Sequence, residues 1–173
     1  ETVSCRAPFT VNFQDLSPDA VAWQWDFGDG TTSTEQHPTH TYQAEGQYTV
    51  SLTITTAAGC MNSVGISNYI RIIKPTVRIA NVPDGGCIPF PFQPVPNVNA
   101  VDGVADWFWD YGDGFTSTAP NPPSHVYTNV GTYTMKLRIT TNGGCTDSIV
   151  VPGAIRTGTK PVADFSMSTP DTC

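Results

Sequence analysis

Charge is scarce in this chain. Asp, Glu, Lys and Arg together make up 13% of its 173 residues, about half of the roughly 25% usual for a soluble domain. Three Lys and five Arg lie scattered against 15 Asp+Glu, for a formal net charge of -7. A clustered basic face for nucleic acid is therefore lacking, and the acidic balance disfavours anionic lipid. No apolar run nears the roughly 20 residues that span a bilayer, so no membrane insertion is expected. No stretch keeps a period of 3.6 over three turns, which argues against amphipathic helices. With only three His and no C-x-x-C spacing, no thiolate–imidazole metal centre is expected. Asn-x-Ser/Thr sequons are absent too. Glu1 is not an initiator and no secretory leader precedes it, which reads as an internal piece of a longer chain.

What is abundant points to β-structure. Gly and Pro contribute 15 residues each, Thr contributes 24, and 18 aromatics are available to fill cores. That aromatic content, with many Val and Ile, argues against disorder. The Thr excess suits solvent-facing strand positions.

The chain also repeats itself. Residues 21–60 read VAWQWDFGDGTTSTEQHPTHTYQAEGQYTVSLTITTAAGC, and 105–145 read ADWFWDYGDGFTSTAPNPPSHVYTNVGTYTMKLRITTNGGC. Trp23, Trp25, Asp26, Gly28, Asp29 and Gly30 recur as Trp107, Trp109, Asp110, Gly112, Asp113 and Gly114. His40, Tyr42, Gly46, Tyr48 and Cys60 recur as His125, Tyr127, Gly131, Tyr133 and Cys145. Cys5, Cys87 and Cys173 follow each other at separations of 82 and 86 residues, and Lys74-Pro75 and Lys160-Pro161 stand at equivalent places. Two repeats result, 1–74 and 75–160, with 161–173 opening a third. About 85 residues suffice for a small domain.

Each repeat reads as about seven short strands. YTVSLTIT (48–55), YTMKLRIT (133–140) and FTVNFQDL (9–16) alternate apolar and polar residues, the pattern of a half-buried strand. AWQWDF and DWFWDY place two Trp on one strand face, where they can anchor a core. The GDG that follows demands a tight turn, with Asp bonding its own backbone and Gly accepting positive φ. In the last strands, SVGISNYIRII (63–73) and SIVVPGAIRT (148–157), Gly65 and Gly153 suggest bulges. The expected class is all-β, two tandem two-sheet sandwiches.

The combination W-x-W-D-F/Y-G-D-G, then S-T, P-x-H-x-Y and G-x-Y-T-x-x-L-x-I-T-x-x-x-G-C, resembles the PKD (polycystic kidney disease) domain, an immunoglobulin-like sandwich of extracellular proteins. The resemblance covers both repeats, and PVADFSMSTPDTC looks like the opening strand of a third. One departure is CIPFPFQPVPNV at 87–98, whose four prolines should leave that strand edge-like or irregular. PKD domains stand in tandem on cell surfaces and beside the catalytic domains of secreted hydrolases. The cysteine-bearing, Thr- and Pro-rich array looks most like surface adhesins of gliding bacteria that use type IX secretion.

Five cysteines in such extracellular repeats imply disulfides. In the sandwich that the resemblance implies, Cys5 and Cys60 fall at opposite poles, a strand of eight residues or about 26 Å apart, beyond disulfide reach. Cys5 and Cys145 would instead face each other across the junction, which makes Cys5–Cys145 the first expectation. It leaves Cys60 for a preceding repeat, and Cys87 and Cys173 for following ones. Pairing within repeats, Cys5–Cys60 and Cys87–Cys145, and free thiols remain the alternatives.

Other residues carry competing readings. Asp26 with Asp29, and Asp110 with Asp113, read first as turn formers. Calcium ligation is the alternative, since calcium needs six to eight oxygens, and paired catalytic carboxylates flanking a cleft are the remotest reading. His40 and His125 read as hydrogen-bonded structural residues, and the four Trp as core residues with a sugar-stacking platform as the alternative. No catalytic residue, metal site or resident cofactor is assigned. The functional expectation is a non-enzymatic spacer in a secreted or surface-anchored bacterial adhesin, with adjacent repeats as partners and any polysaccharide or protein ligand bound elsewhere in the parent chain. The alternative is an accessory module that holds the substrate of a secreted polysaccharide- or protein-degrading hydrolase.

Overall fold

In the first repeat, seven strands form two sheets around Trp25. They are β1 (Thr2–Ser4), β2 (Phe9–Asn12), β3 (Ala20–Asp26), β4 (Thr32–Ser33), β5 (Thr39–Tyr42), β6 (Gly46–Thr56) and β7 (Met61–Ile72). The computed structural model describes residues 2–166, and all regular structure among them is strand. One sheet runs β1-β7-β6-β3-β4, with β1 parallel to β7, and the other pairs β2 with β5. Antiparallel β3–β6 and β6–β7 pairs form its spine. Period-two alternation turns Val50 and Leu52 of β6 inward to meet Trp25, Phe27, Tyr42, Ile70 and Ile72.

The second repeat follows the same plan with nine strands. They are β8 (Thr76–Ala80), β9 (Gly86–Cys87), β10 (Phe90–Phe92), β11 (Val95–Asn99), β12 (Val104–Asp110), β13 (Thr116–Ser117), β14 (His125–Tyr127), β15 (Gly131–Thr141) and β16 (Thr146–Gly158). The large sheet runs β13-β12-β15-β16-β9, while β10 pairs with β14 and β11 with β8. Its core is a separate cluster around Trp109, Tyr127, Met135, Leu137, Ile139 and Ile155. Truncating a residue such as Trp109, which is fully buried, would cost about 3–5 kcal/mol.

The proline-rich stretch breaks at Gln93-Pro94. Phe90–Phe92 bonds to β14 on one side and Val95–Asn99 to β8 on the other, because prolines cannot donate across a continuous ladder. The strand expected over 9–16 stops at Asn12, since the backbone and side chain of Asp15 turn to other partners. The bulge expected at Gly65 is not there. Gly65 pairs regularly with Ser51, and the register slips between Tyr48 and Val50, opposite Ser67–Tyr69. Asn68 takes the positive φ of 53° in that bulge, and Gly153 takes 60° at the equivalent place in β16. Asn tolerates the left-handed region well enough to replace Gly there. Residues 161–166 carry no regular secondary structure; the remainder of the expected third repeat, Cys173 included, lies outside the described residues.

Candidate functional site

Two features concentrate polar chemistry: the Asp-Gly turn at the end of β3 and β12, and the junction between the repeats. In the first turn Asp26 Oδ1 accepts the Gly28 N–H at 2.8 Å, and Asp29 Oδ1 accepts the Thr31 N–H at 3.1 Å and its hydroxyl at 2.6 Å. The second turn repeats this with Asp110 and Gly112 at 2.9 Å and Asp113 and Phe115 at 3.0 Å. Gly28 and Gly112 sit at φ of 78° and 83°, and a Cβ at either would overlap the carbonyl oxygen of Thr49 or Thr134. Only glycine lets the turn lie this close to β6 and β15. Gly30 and Gly114 also have positive φ but face open space.

The second oxygens of Asp29, Asp113 and Asp110 are also engaged. His40 Nε2 lies 2.7 Å from Asp29 Oδ2, and His125 Nε2 lies 2.6 Å from Asp113 Oδ2. The His40 ring stacks on Phe27 at 4.2 Å and meets Tyr42 edge-on at 4.6 Å. Lys136 Nζ reaches Asp110 Oδ2 at 3.2 Å. Burial works to raise the Asp29 pKa, but bonds from Thr31 and His40 outweigh it and hold the carboxyl below its ordinary value. Asp110 is held low chiefly by the Gly112 N–H, with Lys136 assisting. The two carboxyls of each turn thus bind their own backbone and neighbours, and Asp113 with His125 lines an open cleft beside Phe115 and Tyr133. Among the described residues no group of three or more His, Cys, Asp or Glu is placed to hold a metal ion.

The tyrosines of the motif cap the same ends of the sandwiches. Tyr42 donates its buried hydroxyl to the Phe27 carbonyl at 3.1 Å, and Tyr127 to the Tyr111 carbonyl at 3.0 Å. Burial raises both phenol pKa values, with the nearby Asp29 and Asp113 adding to it. Tyr48 and Tyr133 tie the next turn through the Ala44 and Asn129 carbonyls at 2.9 and 2.8 Å.

Both Trp of each pair point toward the core face. Trp25 and Trp109 are buried, their indole N–H groups donating to the Glu35 and Ala119 carbonyls, both at 3.0 Å. Trp23 and Trp107 pack against the same clusters, partly buried. Neither pair forms an open platform. Sequence reading missed Asp15, a carboxylate 5% exposed. Its Oδ2 accepts the Trp23 indole at 2.7 Å and Gln36 at 3.3 Å, while Oδ1 accepts the Ser17 N–H at 2.9 Å. Burial alone would raise its pKa, but these bonds pull it down to about 2. Only the spacing of Asp15 before the Trp pair could have hinted at this.

At the junction Cys5 and Cys145 are disulfide-bonded, with Cα atoms 6.1 Å apart across 140 residues of sequence. Cys5 is buried, whereas Cys60 and Cys87 are exposed thiols. Asp102 steadies the turn that carries Cys145, accepting the Gly143 N–H at 2.7 Å through Oδ2 and the Asn142 amide at 2.7 Å through its carbonyl. In the first repeat, Lys74 pairs with Glu45 at 2.7 Å beside the connection to β8.

Comparison with known proteins identifies the family of both repeats. The family model described as PKD domain matches residues 2–72 and again 84–152. A microbial collagenase of Vibrio alginolyticus is 50% identical over 48 residues, which cover 28% of this chain and 6% of that protein. Collagenase ColA of Bacillus cereus is 54% identical over 39 residues, 22% of this chain and 4% of that protein. The chain therefore spans only a few per cent of the length of these relatives. Among solved structures, the fibronectin(III)-like modules of Clostridium thermocellum CbhA cover 97% of this chain, and it covers 94% of theirs, at 14% identity and a TM-score of 0.37.

Proposed function

The chain belongs to the PKD domain family, and from that membership we propose that it is a non-catalytic extracellular tandem serving a secreted hydrolase, holding a protein or polysaccharide substrate beside the catalytic domain. The observation that carries this reading is the roughly half-identical segment shared with two collagenases. The site chemistry supports it. The acidic and imidazole groups of each turn are bound to one another and to backbone, so what the surface offers is shape and hydrogen bonding. Exposed Phe115 and Val126, beside the second turn, supply apolar contact for a chain-like substrate. The Cys5–Cys145 bridge makes the two sandwiches one unit of defined spacing.

Retention of the purified chain on insoluble collagen, cellulose, chitin and agarose tests the reading. Binding to collagen or to one of the polysaccharides, weakened by Phe115→Ala, is expected. Passage through all four without retardation would overturn it.

A second reading, a spacer in the stalk of a bacterial surface adhesin such as those of gliding cells, is favoured by one observation. The exposed Cys60 and Cys87 stand at the places of the bridged Cys145 and Cys5, as a continuing array requires. In that case the chain passes through all four matrices, and the array carries load between other parts of a surface protein.

A further inference from the structure

The turn that carries Cys145 is built twice in this chain, once with a carboxylate beside it and once without. In the second repeat the Gly144 N–H donates to the Thr141 carbonyl at 2.9 Å and the Thr141 N–H to the Cys145 carbonyl at 2.8 Å. In the first repeat Gly59 with Thr56, and Thr56 with Cys60, make the same two bonds, both at 2.9 Å. Strand pairing sets Ala20 beside Thr56 as it sets Val104 beside Thr141. Pro18 therefore stands where the second repeat has Asp102, and Ala58 where it has Gly143. The turn forms without a carboxylate, so Asp102 has another use.

Its surroundings indicate that use. Asp102 Oδ2 accepts the Gly143 N–H at 2.7 Å, while Oδ1 is buried and accepts no hydrogen bond, so no donor draws charge from that oxygen. A Cβ at Gly143 would lie 2.6 Å from Asp102 Oδ2 and 3.0 Å from Cys5 Sγ. The absent side chain leaves room for both, and carboxylate and sulfur stand within about 6 Å of each other, close enough for one negative charge to disfavour another. Cys5 is 2% exposed, whereas Cys145 is partly exposed. A thiol reductant therefore reaches the bridge at Cys145. Arg6, the cation next to Cys5 in the chain, is exposed, and solvent screens its charge.

We propose that Asp102 shields the Cys5–Cys145 bridge from reduction by anionic thiols, so that the spacing of the two repeats survives where such thiols are present. A thiolate RS⁻ that attacks Cys145 Sγ forms an RS–Cys145 bond and breaks the Cys5–Cys145 bond, whose electron pair leaves on Cys5 Sγ. That charge arises on a buried atom beside a fixed carboxylate, and burial and like charge both oppose it. A thiol that carries further negative charge, such as glutathione, meets the same field as it approaches. A second thiolate then displaces the first from Cys145. The net exchange oxidises two thiols to RSSR and reduces the bridge to two cysteine thiols, which take up the two protons. The inference holds whichever substrate or load the tandem serves.

The test uses the full chain with Cys60→Ser, Cys87→Ser and Cys173→Ser, so that no other thiol exchanges with the bridge. Reduction is timed by acid quenching and non-reducing mapping of the Cys5–Cys145 peptide. The reductants are glutathione and cysteamine, whose ammonium offsets the thiolate charge, at equal thiolate concentration. Asp102→Asn keeps the shape and the acceptor for Gly143 and removes the charge. Its bridge is expected to open about tenfold faster than the parent's with glutathione, and by a smaller factor with cysteamine. Asp102→Ser, neutral but of different shape, should show the same preference. Equal rates in Asp102→Asn and the parent would overturn the proposal. So would an acceleration of the same size with both thiols in the two neutral variants, which is what a loosened turn gives.

Discussion

Trp23 donates its indole N–H to the Asp15 carboxylate at 2.7 Å, whereas the second repeat is three residues longer between Phe90 of β10 and Trp107 and pairs β11 with β8 there. The consequence is a difference in acid response between the repeats.

Asp15 has a folded-state pKa of about 2, below its ordinary value of 3.8. A depressed carboxyl contributes stability above the unfolded value, and that contribution disappears as pH falls through the folded one. The first repeat should therefore lose about 1–2 kcal/mol between about pH 4 and pH 2, after allowance for solvent screening. Thermal unfolding followed by near-ultraviolet circular dichroism across that window should show the loss, and Asp15→Asn should flatten it. An unchanged slope in Asp15→Asn would contradict the assignment.

Gly28 and Gly30 have similar positive φ but different neighbours. Gly30→Ala should cost about 1 kcal/mol through backbone strain alone. Gly28→Ala adds a collision with the Thr49 carbonyl and should cost about 3 kcal/mol or more. Urea titrations of the two variants decide the point, and equal midpoints would refute it.

Tyr42 and Tyr48 both donate to backbone, yet only the Tyr42 bond is buried. Tyr42→Phe leaves the Phe27 carbonyl without that donor and should destabilise by about 1–3 kcal/mol, whereas Tyr48→Phe should stay within about 0.5 kcal/mol. The same ordering is expected for Tyr127→Phe against Tyr133→Phe.

The Cys5–Cys145 bridge closes a loop of 140 residues, worth about 5 kcal/mol of chain entropy in the simplest account. Because each repeat has its own core, reduction should loosen the relation between the repeats before it unfolds either. Small-angle scattering of Cys5→Ser should give a broader distribution of interatomic distances with β-sheet circular dichroism unchanged. A scattering curve identical to that of the bridged chain would show that other contacts set the arrangement.

What the amino-acid order determined alone was everything local: the period, the alternation that turns Val50 and Leu52 inward, and the Asp-Gly turns whose hydrogen bonds span two residues. Such features depend on neighbours in the chain, so a single strand of letters contains them. The tertiary structure decided what depends on distant partners. It put the bulge at Asn68 and left Gly65 in register, split the proline-rich strand at Gln93-Pro94, brought Asp15 beneath Trp23, and set Cys5 against Cys145. Each of these joins residues that only the stacking of sheets and repeats brings within a few ångströms, and no short-range pattern encodes that approach.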